Sequence, residues 1–87
     1  MNTYTLKITS PDGVVFEDSV ENLSVRGVEG DLAVMAGHIP FVTSVKKGVC
    51  KVTLAGGEEK QAQTDGGLLT VGKEETIFLS DTFRWQE

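Results

Sequence analysis

Apolar and polar residues alternate with a period of two along much of the chain. Near the beginning, Tyr4, Leu6 and Ile8 fall on one side of an extended backbone, and the threonines and lysine between them fall on the other. This alternation predicts a strand with one buried face. Further short apolar segments follow at residues 14–16, 20–25, 32–35, 41–45, 49–54, 68–71 and 76–79.

Turn signals separate these segments at intervals of about eight to twelve residues, a spacing typical of an all-β sandwich or barrel. The segment Pro11-Asp12-Gly13 predicts a turn, because proline presets its own φ and glycine accepts a positive φ. Hairpins are expected at 46–48, 55–57 and 72–75. Helical spacing of apolar residues is not sustained, so no helix longer than two turns is expected.

Length and charge limit the classes of function. With 87 residues the chain is expected to form a single domain, 1–87. Thirteen acidic and eight basic residues give a net charge of -5, which disfavours binding to nucleic acid or to anionic lipid. No apolar segment approaches the length of a membrane span and no secretory leader is recognised, so a soluble chain is expected.

The single cysteine, Cys50, lies in an alternating apolar segment and is expected to be a small buried side chain in a reducing compartment. The single histidine, His38, has no serine or cysteine partner in a catalytic motif. One histidine and one cysteine do not make a zinc site either. The residues therefore favour neither nucleophilic catalysis nor a metal centre.

The segment GLLTVGKE, residues 67–74, contains the GxxxxGK part of a phosphate-binding loop. Glu74 stands where such a loop needs Ser or Thr, and the apolar LLTV favours a strand followed by a hairpin over a nucleotide site. Lys46 and Lys47 precede a glycine, as at the lysine-bearing hairpin tip of a biotin or lipoyl carrier domain. The flanking residues that mark a carrier lysine are missing, so a solvated surface turn is favoured, and a carrier remains an alternative.

Residues 26–48, RGVEGDLAVMAGHIPFVTSVKKG, form one continuous pattern that resembles the epsilon subunit of the rotary F-type ATP synthase. The similarity continues in TLKITSPDGVVFEDSVENLSV near the beginning and in DGGLLTVGKEETIFLSD near the end. Two positions depart from the family pattern: Ala36 replaces a proline, and Phe83 replaces a small residue. An unrelated β-sandwich binding module is the other alternative to this family.

The resemblance implies a two-sheet β-sandwich of about ten short strands and a role in the central stalk, without catalysis. It implies that Glu29, Gly30 and Asp31 contact the c-ring, and that Ser10, His38 and Thr43 contact the gamma subunit. This rotor would couple proton- or sodium-driven rotation to ATP synthesis, at the cytoplasmic face of the bacterial inner membrane. Neither a cofactor, an ATP site nor direct membrane insertion is implied.

Longer family members continue into a C-terminal helical hairpin, which restrains ATP hydrolysis and in some members carries an ATP site. None of its residues lie within the 87 residues here. The sequence leaves open whether the chain is a fragment or a short form. Phe83 and Trp85 are expected to pack on the sandwich in a short form and to be mobile in a fragment.

Overall fold

The computed structural model describes residues 2–37 and 39–86. These residues form an all-β structure without a helix. Its nine strands are β1 (Tyr4–Ser10), β2 (Gly13–Gly27), β3 (Gly30–Met35), β4 (Phe41–Val45), β5 (Gly48–Leu54), β6 (Glu59–Thr64), β7 (Gly67–Val71), β8 (Glu75–Ser80) and β9 (Phe83–Trp85).

The strands form two layers. In the first sheet β4, β7, β8 and β1 are neighbours, and β1 pairs with the first half of β2. In the second sheet β3, the second half of β2, β5, β6 and β9 are neighbours. All these pairings are antiparallel except that of β1 with β8. The predicted all-β sandwich is therefore confirmed.

Strand β2 takes part in both sheets. It is 15 residues long and unites the apolar segments 14–16 and 20–25, which the sequence pattern suggested were separate strands. Its register with β5 shifts between Val20 and Asn22, at the point where it leaves β1. An irregularity of this kind bends a strand and increases its twist, which allows one strand to turn the corner between two sheets.

The predicted turns are present, with one correction. The segment 11–12 joins β1 to β2, and Gly13 has a φ of 126° that favours glycine. The segments 55–58 and 72–74 also connect paired strands. The segment 46–47 does not form a hairpin, because β4 pairs with β7 and β2 while β5 pairs with β2 and β6. It instead passes between the sheets, and the amide of Lys46 donates to the carbonyl oxygen of Arg26 at 2.7 Å.

The core lies between the sheets and consists mainly of aliphatic side chains from both of them. Cys50 is 1% exposed, which confirms its predicted burial. The buried apolar residues are Leu6, Ile8, Val20, Leu23, Val25, Val34, Val45, Cys50, Val52, Ala62, Leu69, Val71 and Phe78. Tyr4 connects the layers at one margin of this core, where its hydroxyl donates to the carbonyl oxygen of Val34 at 2.7 Å.

An aromatic cluster fills the space between the layers near β9. Phe83 and Trp85 are half-buried and contact each other edge to face, with ring centroids 5.0 Å apart. Trp85 also contacts Phe16 at 5.5 Å, and Phe83 contacts Phe78 at 6.4 Å. The ammonium of Lys60 lies 4.2 Å from the Trp85 ring centroid. Both aromatic residues of β9 therefore pack onto the sandwich.

Two hydroxyl groups link the end of β6 to the end of β8, just before the connections that lead into β7 and β9. The buried hydroxyls of Thr64 and Ser80 lie 2.6 Å apart, and the Gly66 amide donates to the Thr64 hydroxyl at 3.0 Å. The next residue, Gly67, has no room for a side chain, because an added Cβ would lie 1.9 Å from the Leu79 carbonyl oxygen. The close β7–β8 pairing therefore depends on glycine at this position.

Trp85→Ala should lower the free energy of unfolding by about 2 kcal/mol, because it removes a half-buried ring and its aromatic and cationic contacts. Urea denaturation followed by circular dichroism measures the change. Arg84→Ala on the same strand is the matched control, since its side chain is exposed and its replacement should alter stability by less than about 0.5 kcal/mol. Equal midpoints for the two variants would show that β9 does not contribute to the core.

Candidate functional site

The turn between β2 and β3 is acidic and exposed. Gly27 pairs with Gly30 across it, and Val28 and Glu29 occupy its tip. Gly30 has a φ of 129°, in the region that favours glycine. An added Cβ on Gly27 would lie 3.0 Å from the Gly30 carbonyl oxygen, so the two glycines allow a narrow turn. The backbone thus presents Glu29 to solvent on a defined loop.

Asp31 follows this turn and lies opposite Arg26 in the register of β2 and β3. Its carboxylate is 3.8 Å from the Arg26 Nε, and the two side chains are 86% and 62% exposed. An ion pair this exposed contributes little to stability, because water screens it. Both groups are therefore accessible to a partner molecule.

The loop between β3 and β4 contains the predicted gamma contact His38, which lies outside the described residues. Before it, Gly37 adopts a φ of 84°, which favours glycine. After it, Ile39 is 78% exposed. The loop therefore presents an apolar side chain at the beginning of β4.

The other two predicted gamma contacts, Ser10 and Thr43, lie on separate strands of the first sheet. Ser10 ends β1, and its hydroxyl accepts a hydrogen bond from the Asp12 amide at 3.3 Å. Thr43 is in the middle of β4, opposite Leu69 of β7. Both are half-buried. Strands β8 and β7 lie between β1 and β4, so two strands separate the two residues in one sheet and they are not side by side.

An exposed surface that motif similarity did not identify spans β4, β7 and β8. We define the apolar patch as Val42, Leu68, Ile77 and Leu79, all on the outer face of the first sheet. Leu68 pairs with Leu79, and Ile77 lies in the adjacent row. Val42, Leu68 and Leu79 are 62%, 40% and 48% exposed. The sequence signal for this patch lies in LLTV (68–71) and IFL (77–79), because consecutive apolar residues there must occupy both faces of a strand.

Sheet pairing also determines the structure of residues 67–74, the segment that resembles part of a phosphate-binding loop. Gly67 to Val71 form β7, and the amide of Gly72 donates to the Glu75 carbonyl oxygen at 2.9 Å in the turn to β8. The prediction that this segment is a strand and hairpin is confirmed. A phosphate-binding loop instead leads into a helix, and the free backbone amides at the N-terminus of that helix point at the phosphate.

Among the residues that the structure describes, two side chains have shifted pKa values, and burial is the main cause of both shifts. Burial raises the pKa of the Cys50 thiol to about 11, and it raises the pKa of the Tyr4 hydroxyl above its ordinary value. A neutral buried thiol is a poor nucleophile. Within residues 2–37 and 39–86, histidine, cysteine and carboxylate side chains form no cluster of three that could hold a metal ion. That part of the chain also contains no helix suited to crossing a membrane.

Residues 3–86 match the model of a protein family described as the ATP synthase, Delta/Epsilon chain, beta-sandwich domain. The chain belongs to this family. The resemblance to the epsilon subunit is confirmed, and the match gives no support to a biotin or lipoyl carrier. The alternative reading of an unrelated binding module is likewise unsupported.

Relatives within this epsilon family include the sodium ion specific ATP synthase epsilon chain of Acetobacterium woodii. It is 40% identical over 85 residues, which cover 98% of this chain and 64% of the relative. The epsilon chain of Caldicellulosiruptor saccharolyticus is 34% identical, with 100% and 63% of the two chains covered. The epsilon chain of Afipia carboxidovorans is 42% identical, with 94% and 60% covered. This chain therefore spans less than two thirds of the length of these curated relatives.

Solved structures share the sandwich. A chain of the Euglena gracilis mitochondrial ATP synthase, in a structure of OSCP, F1 and the c-ring, matches with a TM-score of 0.90 and 24% identity. The match covers 95% of this chain and 53% of the other. A central stalk and c-ring structure from Tetrahymena thermophila gives a TM-score of 0.77 and 11% identity, with 94% and 66% covered. At these identities the matches show a common fold.

Stability should fall as the pH rises from 9 to 11, because the Cys50 thiol ionises near its ordinary pKa of 9.0 when unfolded and only near 11 when folded. A raised native pKa favours folding below the unfolded pKa, and this contribution declines as the pH increases. Urea midpoints across this range measure the effect. Cys50→Ala should flatten the decline, whereas an unchanged slope in that variant would exclude the thiol as its source.

Proposed function

We propose that the chain is the β-sandwich of an epsilon-type rotor subunit in an F-type ATP synthase. It binds the gamma subunit and the c-ring and couples proton- or sodium-driven rotation to ATP synthesis. The names of the relatives support this function, as do the titles of the structures that share the fold. The subunit lies peripherally at the cytoplasmic face of the bacterial inner membrane, where these partners meet.

The apolar patch is the observation that supports the proposed gamma contact most directly. Three of its side chains are exposed to the extent of 40–62%, although they are neighbours on one sheet. A contiguous apolar surface on a small domain is typical of a site that another protein covers. Of the proposed gamma contacts, Thr43 follows Val42 of the patch on β4, Ser10 lies on β1 beside β8, and His38 precedes β4 in the chain.

The c-ring contact is the exposed turn that contains Glu29, Gly30 and Asp31. Its two carboxylate side chains are exposed, and they flank Gly30, whose positive φ shapes the turn. Basic groups on the polar loops of the ring would complement this charge. Such complementarity directs docking and register more than it increases affinity. A turn that is shaped before binding also reduces the ordering cost of association.

The role is structural and not catalytic. Cys50 is buried and neutral, and His38 has no sequence partner for nucleophilic chemistry. The segment from Gly67 to Lys73 forms a strand and a turn, and Glu74 adds negative charge where a nucleotide phosphate would lie. No cofactor or ATP is therefore required by the function proposed for these residues.

Leu79→Glu should weaken binding to gamma at least 30-fold, which corresponds to about 2 kcal/mol, because a carboxylate in a packed apolar interface loses its hydration. Titration calorimetry with purified gamma subunit measures the affinity. Val49→Glu is the matched control: Val49 is 43% exposed, close to the 48% of Leu79, but lies on the second sheet. It should change the affinity less than threefold. Equal losses in the two variants would contradict the assignment of the patch to gamma.

Asp31→Asn should reduce ion pumping per ATP hydrolysed in the reconstituted synthase, while stability changes by less than about 0.5 kcal/mol. Asparagine removes the charge without placing a cation opposite Arg26, as lysine would. ATP-driven acidification or sodium uptake by proteoliposomes, divided by the hydrolysis rate, gives the ratio. Asp18→Asn, an exposed carboxylate on the first half of β2, is the control. Full coupling in the Asp31 variant would show that this residue is not part of the ring contact.

A further inference from the structure

The outer face of the second sheet concentrates positive charge in an acidic protein. We define the basic strip as Arg26, Lys46, Lys47, Lys51 and Arg84, which are five of the eight basic residues in a chain of net charge -5. All five are exposed. The first three lie together because the Lys46 amide donates to the Arg26 carbonyl oxygen.

Strand register places the other members of the strip on the same face. Lys51 pairs with Ser24 on one side and with Gln61 on the other. Val49 pairs with Gln63, which in turn pairs with Arg84. Because alternate residues share a face, Lys51, Val49 and Arg84 all project away from the core. The strip therefore crosses the sheet from β2 to β9.

A groove of about 530 Å³ opens beside Arg26 and Lys51, at the β2 end of this strip. Ala33 and Val49 provide exposed apolar surface in it, and Arg26 and Lys51 are also among its lining residues. The Arg26 stem extends over Gly48, where an added Cβ would lie 3.6 Å from the arginine Cβ and Cδ. Asp31 lines the same groove, and its 3.8 Å pairing through Nε leaves the terminal nitrogens of Arg26 available.

We propose that the basic strip docks an acidic polypeptide segment, with an apolar side chain of that segment seated on Val49 and Ala33. Carboxylates match the planar donors of arginine and the ammonium of Lys51. An apolar contact framed by charges suits a protein side chain better than a phosphate backbone.

This surface is distinct from the one proposed to bind gamma. The apolar patch lies on the outer face of the first sheet, and the basic strip lies on the outer face of the second. A partner on one face therefore leaves the other free. The acidic segment is an additional contact. Its groove shares Asp31 with the proposed c-ring contact, so the test uses the isolated chain, without gamma or the ring.

The test is a titration of the ¹⁵N-labelled chain with a synthetic peptide of Glu-Glu-Leu-Ala repeats, followed by amide chemical shifts. The expected shifts are at Ser24, Ala33, Val49 and Lys51, with at least tenfold weaker binding by a twin peptide that carries Gln for Glu. Arg26→Gln combined with Lys51→Gln should weaken binding at least tenfold. The control, Lys7→Gln with Lys73→Gln, removes two cations elsewhere and should change it less than twofold.

Equal binding of the two peptides, or shifts confined to the first sheet, would overturn the proposal. So would tighter binding to phosphatidylglycerol vesicles or to a single-stranded oligonucleotide than to the acidic peptide, since the strip would then serve a polyanion. Unfolding curves of both double variants distinguish lost contacts from lost structure. Failure here leaves the gamma titration with Leu79→Glu unaffected, so the two proposals fail separately.

Discussion

Both layers of this sandwich depend on the course of β2. Its first half pairs with β1, its second half pairs with β3 and β5, and Gly27 at its end pairs with Val45 of β4. A single backbone therefore aligns the inner faces of the two sheets. Leu23 and Val25 from this strand then pack with residues such as Leu6 and Phe78 from the other layer. If β2 were straight, one of the layers would lose its central strand.

The shared strand leaves two outer faces of different chemistry. On the first sheet Leu68 of β7 and Leu79 of β8 are exposed, whereas the exposed positions of β5 and β6 on the second include Lys51, Gln61 and Gln63. A small domain thus offers separate surfaces that favour different partners, one through apolar burial and the other through charge. The acidic β2–β3 turn adds a third surface at a sheet corner.

Much of the fold is readable from the sequence because alternation and turn chemistry are local. The buried positions of β1, the glycine turn before β2 and the strand in place of a phosphate loop all follow from nearest neighbours along the chain. The merging of 14–16 and 20–25 into one strand was not predicted, because pairing with two different partners is a long-range property. The same reason explains the wrong hairpin at 46–47.

The candidate site was less accessible to sequence reasoning. Motif similarity pointed to Ser10 and Thr43, but only strand order shows that β7 and β8 separate them. The apolar patch between them comes from residues of three strands and has no contiguous motif. The basic strip is likewise dispersed, since the pairing of β5, β6 and β9 places Arg84 on the same sheet face as Arg26, with two strands between them. Surfaces assembled across strands need the register before they can be recognised.

The parallel pairing of β1 with β8 affects how the chain reaches this structure. Thr5 lies opposite Glu75, so the two strands meet across a separation of about seventy residues. During synthesis β1 and β2 can form their hairpin early, but Leu6 and Ile8 still lack the layer that covers them. That partly apolar hairpin has an open strand edge until β8 leaves the ribosome. Protection of this edge in the nascent chain is thus a requirement set by the topology itself.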